Sequence, residues 1–379
     1  MKKRHLFFYK FFYLPVLIFL KLKFGYRFKV ARNLPGPYIV LSNHNTDYDM
    51  LLVGLSFPRQ MYFVASEHIL RWKRAGKFLR YAFAPIARYK GSTAASTVME
   101  VLRCIRAGRN VCIFAEGNRS WDGVTNPILP STGKMVKSAR CALVTFRFEG
   151  GYFVSPNWSE KNTRRGRFYG APVNVYTKEQ LAGMSVEEIN AAIARDLHED
   201  AYERQLKSTA PYRGKNLAEK MEHLMFLCPR CGALDSLRSG GDQVSCDKCG
   251  LTFRYTEYGY LEGLPFTTVK QLAAWQKAEV EKAAASGQAR FTADEAALMS
   301  VSRHEETPVD SGALEMNTER ITCGNTSIPL ASISDMAMHG RRAIVFATTD
   351  NYYELAIAGA SNTLKFLMLY DILRQGGEK

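Results

Sequence analysis

Four residues separate His44 from Asp49 in the stretch Asn43-His44-Asn45-Thr46-Asp47-Tyr48-Asp49. An imidazole works as a general base when a carboxylate fixes its tautomer and stabilises the imidazolium that forms as a proton arrives. This spacing allows that pairing if a strand delivers His44 onto a loop and a helix beginning near Thr46 carries Asp49 in its first turn. Asn, Thr and Asp are also ordinary residues of a helix start, so the pair gains force from its company. Glu116-Gly117-Asn118-Arg119 follows the apolar run 111–114. Gly117 admits close approach of a ligand to the backbone, and Arg119 offers the planar fork that suits phosphate. Arg88 and Lys90 precede a helix that Ser92 is placed to cap. Basic side chains beside a helix N-terminus make an anion site.

A second constellation is Cys228-Pro229-Arg230-Cys231-Gly232 with Cys246-Asp247-Lys248-Cys249-Gly250. Each Cys-x-x-Cys forms a knuckle whose tight turn the following glycine tolerates. Four thiolates then close a tetrahedral site with no open position, so the metal is structural rather than catalytic. Zinc is the default and rubredoxin-like iron the alternative. The other cysteines (Cys104, Cys112, Cys141 and Cys323) are scattered through mostly apolar surroundings, as buried free thiols are. The pattern implies a reducing compartment and a metal site, not a disulfide framework.

These residues need positioning elements. Apolar runs at 38–41, 62–64, 111–114 and 143–146 read as buried strands, alternating with helical stretches at 46–55, 94–107 and 132–140. Alternation of this kind predicts an α/β layer fold with functional residues on the loops that leave the strands. The chain then turns polar and helical over 186–203. After the cysteine module comes a helical connector containing Trp275. Alternating runs at 343–346 and 353–357 predict short antiparallel strands closed by a helix over 363–374. That order resembles a pleckstrin-homology-like barrel. The expected organisation is an N-terminal helix over 1–30, an α/β domain over 31–210, a zinc ribbon over 211–255, a connector over 256–290 and a β-rich domain over 291–379.

The N-terminus is basic, then aromatic and apolar from Leu6 to Leu20, then basic again at Lys21 and Lys23. At about 15 residues, interrupted by Lys10 and Pro15, the run falls short of the ~20 that span a bilayer. No small-residue cleavage site follows it, which argues against a secretory signal. The pattern predicts a helix lying in one leaflet's interface. The formal net charge of +15 favours anionic partners: a bilayer surface, phosphate-bearing substrates or an acidic carrier protein. Nucleic acid is not expected, because the arm between the cysteine pairs lacks the interleaved aromatic and basic residues of a groove-tracking surface.

Taken in order and spacing, His44 with Asp49, Arg88 after an apolar run, and Phe114-Ala115-Glu116-Gly117-Asn118-Arg119-Ser120 resemble the glycerolipid acyltransferase family, in particular the 1-acyl-glycerol-3-phosphate acyltransferases. The resemblance covers roughly residues 30–210. It implies that His44 deprotonates the acceptor hydroxyl with Asp49 in support, and that the oxygen attacks the thioester of acyl-CoA or an acyl-carrier protein without an acyl-enzyme. It implies that Arg88, Glu116, Gly117 and Arg119 bind the acceptor and its phosphate. The chain departs from the family at Ala115, usually proline, at Asn118, usually threonine, and in Val144-Thr145-Phe146-Arg147-Phe148, which lacks a proline. Those departures touch the acceptor's identity and leave the catalytic pair intact.

The expected function is acyl transfer to lysophosphatidic acid at the cytoplasmic face of a membrane, by a peripheral or monotopic enzyme. The alternatives are the same chemistry on another lysolipid or lipid hydroxyl, or a catalytically idle scaffold. Acyl-chain length, the choice between the two donors and the oligomeric state are not encoded in any pattern found.

Overall fold

The computed structural model describes residues 3–89, 91, 94–160, 162–302, 305–359 and 361–377. The chain divides into two compact units, one of Met1–Arg88, Ala94–Asn157 and Lys161–Gly214, the other mainly Lys215–Lys379.

In the first unit, seven strands among the described residues form one sheet: β1 (Arg27–Phe28), β2 (Tyr38–Ser42), β3 (Met61–Ser66), β4 (Ile86–Arg88), β5 (Asn110–Phe114), β6 (Ala142–Glu149) and β7 (Tyr169–Tyr176). Their order is β1-β7-β6-β2-β5-β3-β4, with parallel pairing except between β6 and β7. β2 lies centrally and all five of its residues are buried. A strand covered on both faces has no polar side to show, which explains its unbroken apolar run. Ile39 and Leu41 pack with Val111 and Leu143 and with Ile189, Ile193 and Leu197 of the Val186–Leu197 helix. Register decides the site. Ser42 lies opposite Phe114 on one side and Phe146 on the other, so the chain segments after β2, β5 and β6 leave the sheet at one end.

The helix expected near Thr46 starts later, as α2 (Asp49–Ser56). Residues 46–48 form a turn instead, because the Asp49 carboxylate takes the amides of Asn45 and Thr46. The expected helices near 94–107 and 132–140 are Ala95–Arg106 and Ser131–Ala139. The polar helical stretch splits in two where Asp200 caps Ala201–Lys207 through the amides of Tyr202 and Glu203.

The N-terminal segment is longer than its apolar core suggested. α1 (Lys3–Phe24) runs for 22 residues and Pro15 does not end it. At 1.5 Å per residue that is about 33 Å, long and apolar enough to cross a membrane by length and composition. One side of α1 is fastened to the sheet domain. His5 Nδ1 pairs with the Tyr62 hydroxyl at 3.0 Å, Tyr9 donates to the carbonyls of Gly54 and Phe57, and Tyr13 donates to that of Leu55. On the other side Phe7, Phe11, Leu14, Ile18 and Leu22, at steps of three or four residues, are each more than half exposed.

The second unit contains a four-stranded antiparallel sheet, β8 (Leu237–Gly240), β9 (Gln243–Cys246), β10 (Thr252–Tyr255) and β11 (Leu261–Glu262), followed by the helix Val269–Ala285. Seven further strands form an antiparallel sheet: β12 (Phe291–Ser302), β13 (Glu305–Met316), β14 (Arg320–Cys323), β15 (Thr326–Pro329), β16 (Asp335–His339), β17 (Ala343–Ala347) and β18 (Tyr352–Ile357). The order β15-β14-β13-β12-β18-β17-β16 pairs the first of these strands with the last, and the helix Leu364–Gly377 is the last element among the described residues. Buried polar side chains join these parts. Gln276 takes the amides of Phe226 and Leu227 and donates to the carbonyl of Leu224. Lys365, only 1 % exposed, ion-pairs with Asp235 and donates to the Thr292 carbonyl.

Candidate active site and four-cysteine centre

The register of β2 against β5 puts His44 and Glu116, each two residues past the paired Ser42 and Phe114, next to each other. His44 Nδ1 lies 2.8 Å from Asp49 Oδ2. The same carboxylate accepts the amides of Asn45 (2.6 Å) and Thr46 (3.0 Å) and the Thr46 hydroxyl (2.7 Å). Asp49 is 1 % exposed, and four donors on two oxygens hold it in one orientation. The imidazole stacks on Phe114 with ring centroids 4.6 Å apart, and its side chain keeps 22 % of its surface in solvent. With Nδ1 committed to Asp49, Nε2 is the nitrogen positioned for a substrate proton.

Glu116 and Arg119 frame this loop. Glu116 Oε1 accepts the His44 amide and Oε2 accepts the Asn126 amide, both at 2.6 Å. Burial pushes the Glu116 carboxyl up to about 8, against the pull of the Asn126 and His44 amides. Arg119, 6 % exposed, gives Nε to the Asn45 carbonyl at 2.8 Å, Nη1 to Asp47 at 3.0 Å and Nη2 to the Ser155 carbonyl and hydroxyl. Gly117 turns between them at φ 71°, which suits glycine. Arg88 stands apart, at the end of edge strand β4 and two strands from β5. Lys90 and Ser92 lie outside the described residues. The helix that Ser92 was expected to cap begins at Ala95.

Two contributors were not singled out in the sequence. Asn43 is fully buried and forms a double clip with Phe148, accepting its amide at 2.7 Å and donating to its carbonyl at 3.0 Å. This ties the end of β6 to the start of the His44 loop. Asn126, ten residues beyond Glu116, supplies the second amide. The signal for Asn43 was its place beside His44; nothing local marks Asn126.

Two spaces adjoin the site. A cavity of ≈ 10 Å³ between His44, Ser120, Thr125 and Tyr152 has room for little more than a water molecule. A larger one, ≈ 320 Å³, is almost wholly apolar. It lies among Tyr9, Phe12, Met50, Leu55, Phe78 and Phe83, beginning at the residue after Asp49.

Residues 26–149 match the model of a family described as Acyltransferase. That match spans the stretch from β1 to β6, with His44, Asp49, Glu116 and Arg119 inside it. Solved structures similar to it include the 1-acyl-sn-glycerophosphate (LPA) acyltransferase PlsC from Thermotoga maritima, 18% identical, with a TM-score of 0.43 over 55% of this chain and 84% of that one. Another is the N-terminal PH domain of human ARAP2, 14% identical, TM-score 0.18, over 23% of this chain and 81% of that domain. A C-terminal domain of an unknown protein from Leishmania infantum is 16% identical, TM-score 0.15, over 27% and 99%. No curated protein matches the chain. Acyl transfer is the reaction class that the matched family's description names.

In the second unit the sulfurs of Cys228, Cys231, Cys246 and Cys249 all lie within 4.8 Å of one another. Cys228 and Cys249 Sγ are 3.7 Å apart, and Cys231 and Cys246 Sγ 3.9 Å. A tetrahedron with metal–sulfur bonds of ~2.3 Å has an edge of roughly 3.8 Å, so the arrangement is compatible with a zinc site. The two knuckles are built alike. The amide of Gly232 (φ 69°) bonds the Cys228 carbonyl, and that of Gly250 (φ 68°) bonds the Cys246 carbonyl. Burial opposes ionisation of Cys246, but the Ser236 hydroxyl and the amides of Cys249 and Lys248 bring its thiol down to about 6. Cys228 goes the other way, burial pushing its thiol up to about 12; the thiolate is the form a metal binds.

Proposed function

We propose that this protein transfers a fatty acyl group from acyl-CoA or an acyl-carrier protein to the free hydroxyl of lysophosphatidic acid, giving phosphatidic acid. The observation that carries the reading is the 2.8 Å bond between His44 Nδ1 and a fully saturated Asp49 carboxylate. His44 Nε2 removes the acceptor's hydroxyl proton as its oxygen attacks the thioester carbonyl carbon. Asp49 steadies the imidazolium. The tetrahedral intermediate collapses with cleavage of the carbon–sulfur bond, and the departing thiolate takes the proton back from His44. Each step needs the ring held still, and Glu116, Arg119 and Asn43 do this through the backbone on either side of it. The apolar cavity suits the acyl chain, each buried methylene contributing about 0.8 kcal/mol.

Acyl transfer to a different lysolipid is the second reading, favoured by one specific observation. All three Arg119 nitrogens are spent on protein partners, so the acceptor's phosphate would rest on Arg88 or on other basic side chains. Membrane association fits the reading, with α1 laid on a cytoplasmic leaflet by its apolar stripe and basic flanks. Zinc is the proposed occupant of the four-cysteine site, as a structural ion.

The test is transfer from labelled acyl-CoA, and separately from acyl-carrier protein, to lysophosphatidic acid in detergent micelles. Wild-type protein should form product, and His44→Ala should lose at least about a hundredfold in rate with its fold retained. Silence from folded, zinc-loaded wild type across a panel of lysolipids would replace the enzyme by a scaffold.

A further inference from the structure

A groove of ≈ 860 Å³ opens on the first unit, and its lining includes Arg27, Arg165, Arg167, Arg204 and Arg213 against a single lining acid, Glu149. Arg204 is committed to Glu149 and Glu199, and Arg167 bonds the Ser208 hydroxyl. The side chains of Arg27, Arg165 and Arg213 are exposed, and among the described residues no carboxylate forms an ion pair with them.

The arginines are arranged by the backbone. Arg165 and Arg213 face each other across an antiparallel bridge, with both of their mutual N–H to carbonyl distances at 2.9 Å. Like charges placed opposite each other on paired strands repel, and an anion between them relieves that repulsion. Tyr212 fixes the turn from both ends. Its ring lies where a Cβ on Gly166 would stand, 2.3 Å away, and its hydroxyl donates to the Arg167 carbonyl at 3.2 Å.

The groove adjoins the His44 loop through two glycines. A Cβ on Gly150 would meet the Arg167 carbonyl oxygen at 2.1 Å. One on Gly151 would meet Asn45 Oδ1 at 2.4 Å and the Phe168 ring at 2.8 Å. Arg167 and Phe168 therefore rest on Gly150 and Gly151, and Gly151 rests on the neighbour of His44. The apolar cavity reaches α2 at Met50, the residue after Asp49. A thioester substrate needs both places: an apolar one for its chain and a cationic one for a phosphorylated carrier. Several guanidinium groups exceed the need of one phosphomonoester, and the half-exposed ring of Tyr169 offers a face on which a purine base can stack.

Resting on the acyl-transfer reading, we propose that this arginine groove binds the phosphate-bearing nucleotide end of a coenzyme A thioester, with the acyl chain in the Tyr9–Met50–Phe83 cavity and the thioester carbonyl at His44. Arg165 and Arg213 are the principal phosphate ligands, and Arg27 extends the site.

The test is equilibrium binding of unacylated coenzyme A to the full chain, which needs no turnover. The double variant Arg165→Ala/Arg213→Ala, altered only at exposed side chains, should lose at least about tenfold in affinity. Arg106→Ala, exposed on another helix, should bind as wild type does. Unchanged affinity in the double variant overturns the proposal, and so does an equal loss in Arg106→Ala, which would mean bulk charge. A raised KM for lysophosphatidic acid with coenzyme A affinity intact also overturns it, assigning the groove to the acceptor's phosphate. If wild type binds coenzyme A through these arginines yet transfers no acyl group, the groove stands and the enzymatic reading falls.

Discussion

The loop around His44 and the double turn around the four cysteines both gather polar atoms closely, but they balance them differently. At the loop, protein donors meet protein acceptors. Asp49 has four donors, Glu116 has two amides, and Arg119 has the Asn45 carbonyl, Asp47 and Ser155. At the double turn, four sulfurs face one another, and outside groups such as the Ser236 hydroxyl only assist. The first is a frame finished by folding, so that a substrate finds the ring already oriented. The second, with the proposed zinc bound, would gain its main stabilisation from the cation, so that folding and metal binding would become one equilibrium.

The largest expected effect breaks the metal side. Cys246→Ser, or exhaustive chelation, should release zinc and cost the second unit several kcal/mol, read as metal content together with the thermal transition. A chelated protein that keeps its full transition would remove the metal from the fold. Next comes the frame. Arg119→Ala leaves buried carbonyls without donors and should destabilise the first unit by about 2–4 kcal/mol, lowering kcat as the loop loosens. Asp47→Ala removes only the exposed end of the same ion pair, since Asp47 is 63% exposed, and should cost under about 1 kcal/mol. Equal losses from the two, measured by denaturant unfolding, would mean that the ion pair, not the carbonyl bonds, holds the loop.

A pH slope tests the same frame from another side. Glu116 is raised from an ordinary 4.5 to about 8, first by burial. A carboxyl whose folded value exceeds its unfolded one contributes its stability in full at low pH. That contribution fades as pH rises from about 4.5 and is gone above about 8. Denaturation midpoints of wild type should therefore fall across this window more steeply than those of Glu116→Gln, and parallel curves would contradict the assignment.

The sequence made the His44–Asp49 pairing and the cysteine cluster readable because each is set by short spacing. His44 to Asp49 and Cys to Cys are local distances, and Gly232 and Gly250 are where the knuckle turns demand them. The strands were legible because β2 is buried throughout and β5 over its first three residues, which leaves the apolar runs 38–41 and 111–114. What stayed hidden depends on register. That Glu116 takes the His44 amide follows from Ser42 lying opposite Phe114, and Arg119 read as a phosphate fork because its partners lie 36 to 74 residues away in sequence. The start of α2 was misplaced by three residues, since Asp49 spends its carboxylate on the turn before the helix. In the second unit the ribbon, connector and β-rich segment read as separate modules, because nothing local shows that Lys365 reaches Asp235 or that Gln276 reaches Phe226.

The phenols of Tyr9 and Tyr13 bear on how this protein should be handled at the bench. They cover carbonyls of Gly54, Leu55 and Phe57, the end of a helix whose other end is Asp49. Carbonyls in a last helical turn have no partner within the helix. Trimming the greasy N-terminus to obtain a better-behaved sample would strip that cover and slacken the helix that carries Asp49, the partner of His44. An inactive truncated protein would then report a damaged Asp49–Ser56 helix, and the question of whether turnover needs a bilayer has to be asked of the full chain, with detergent or lipid as the only variable.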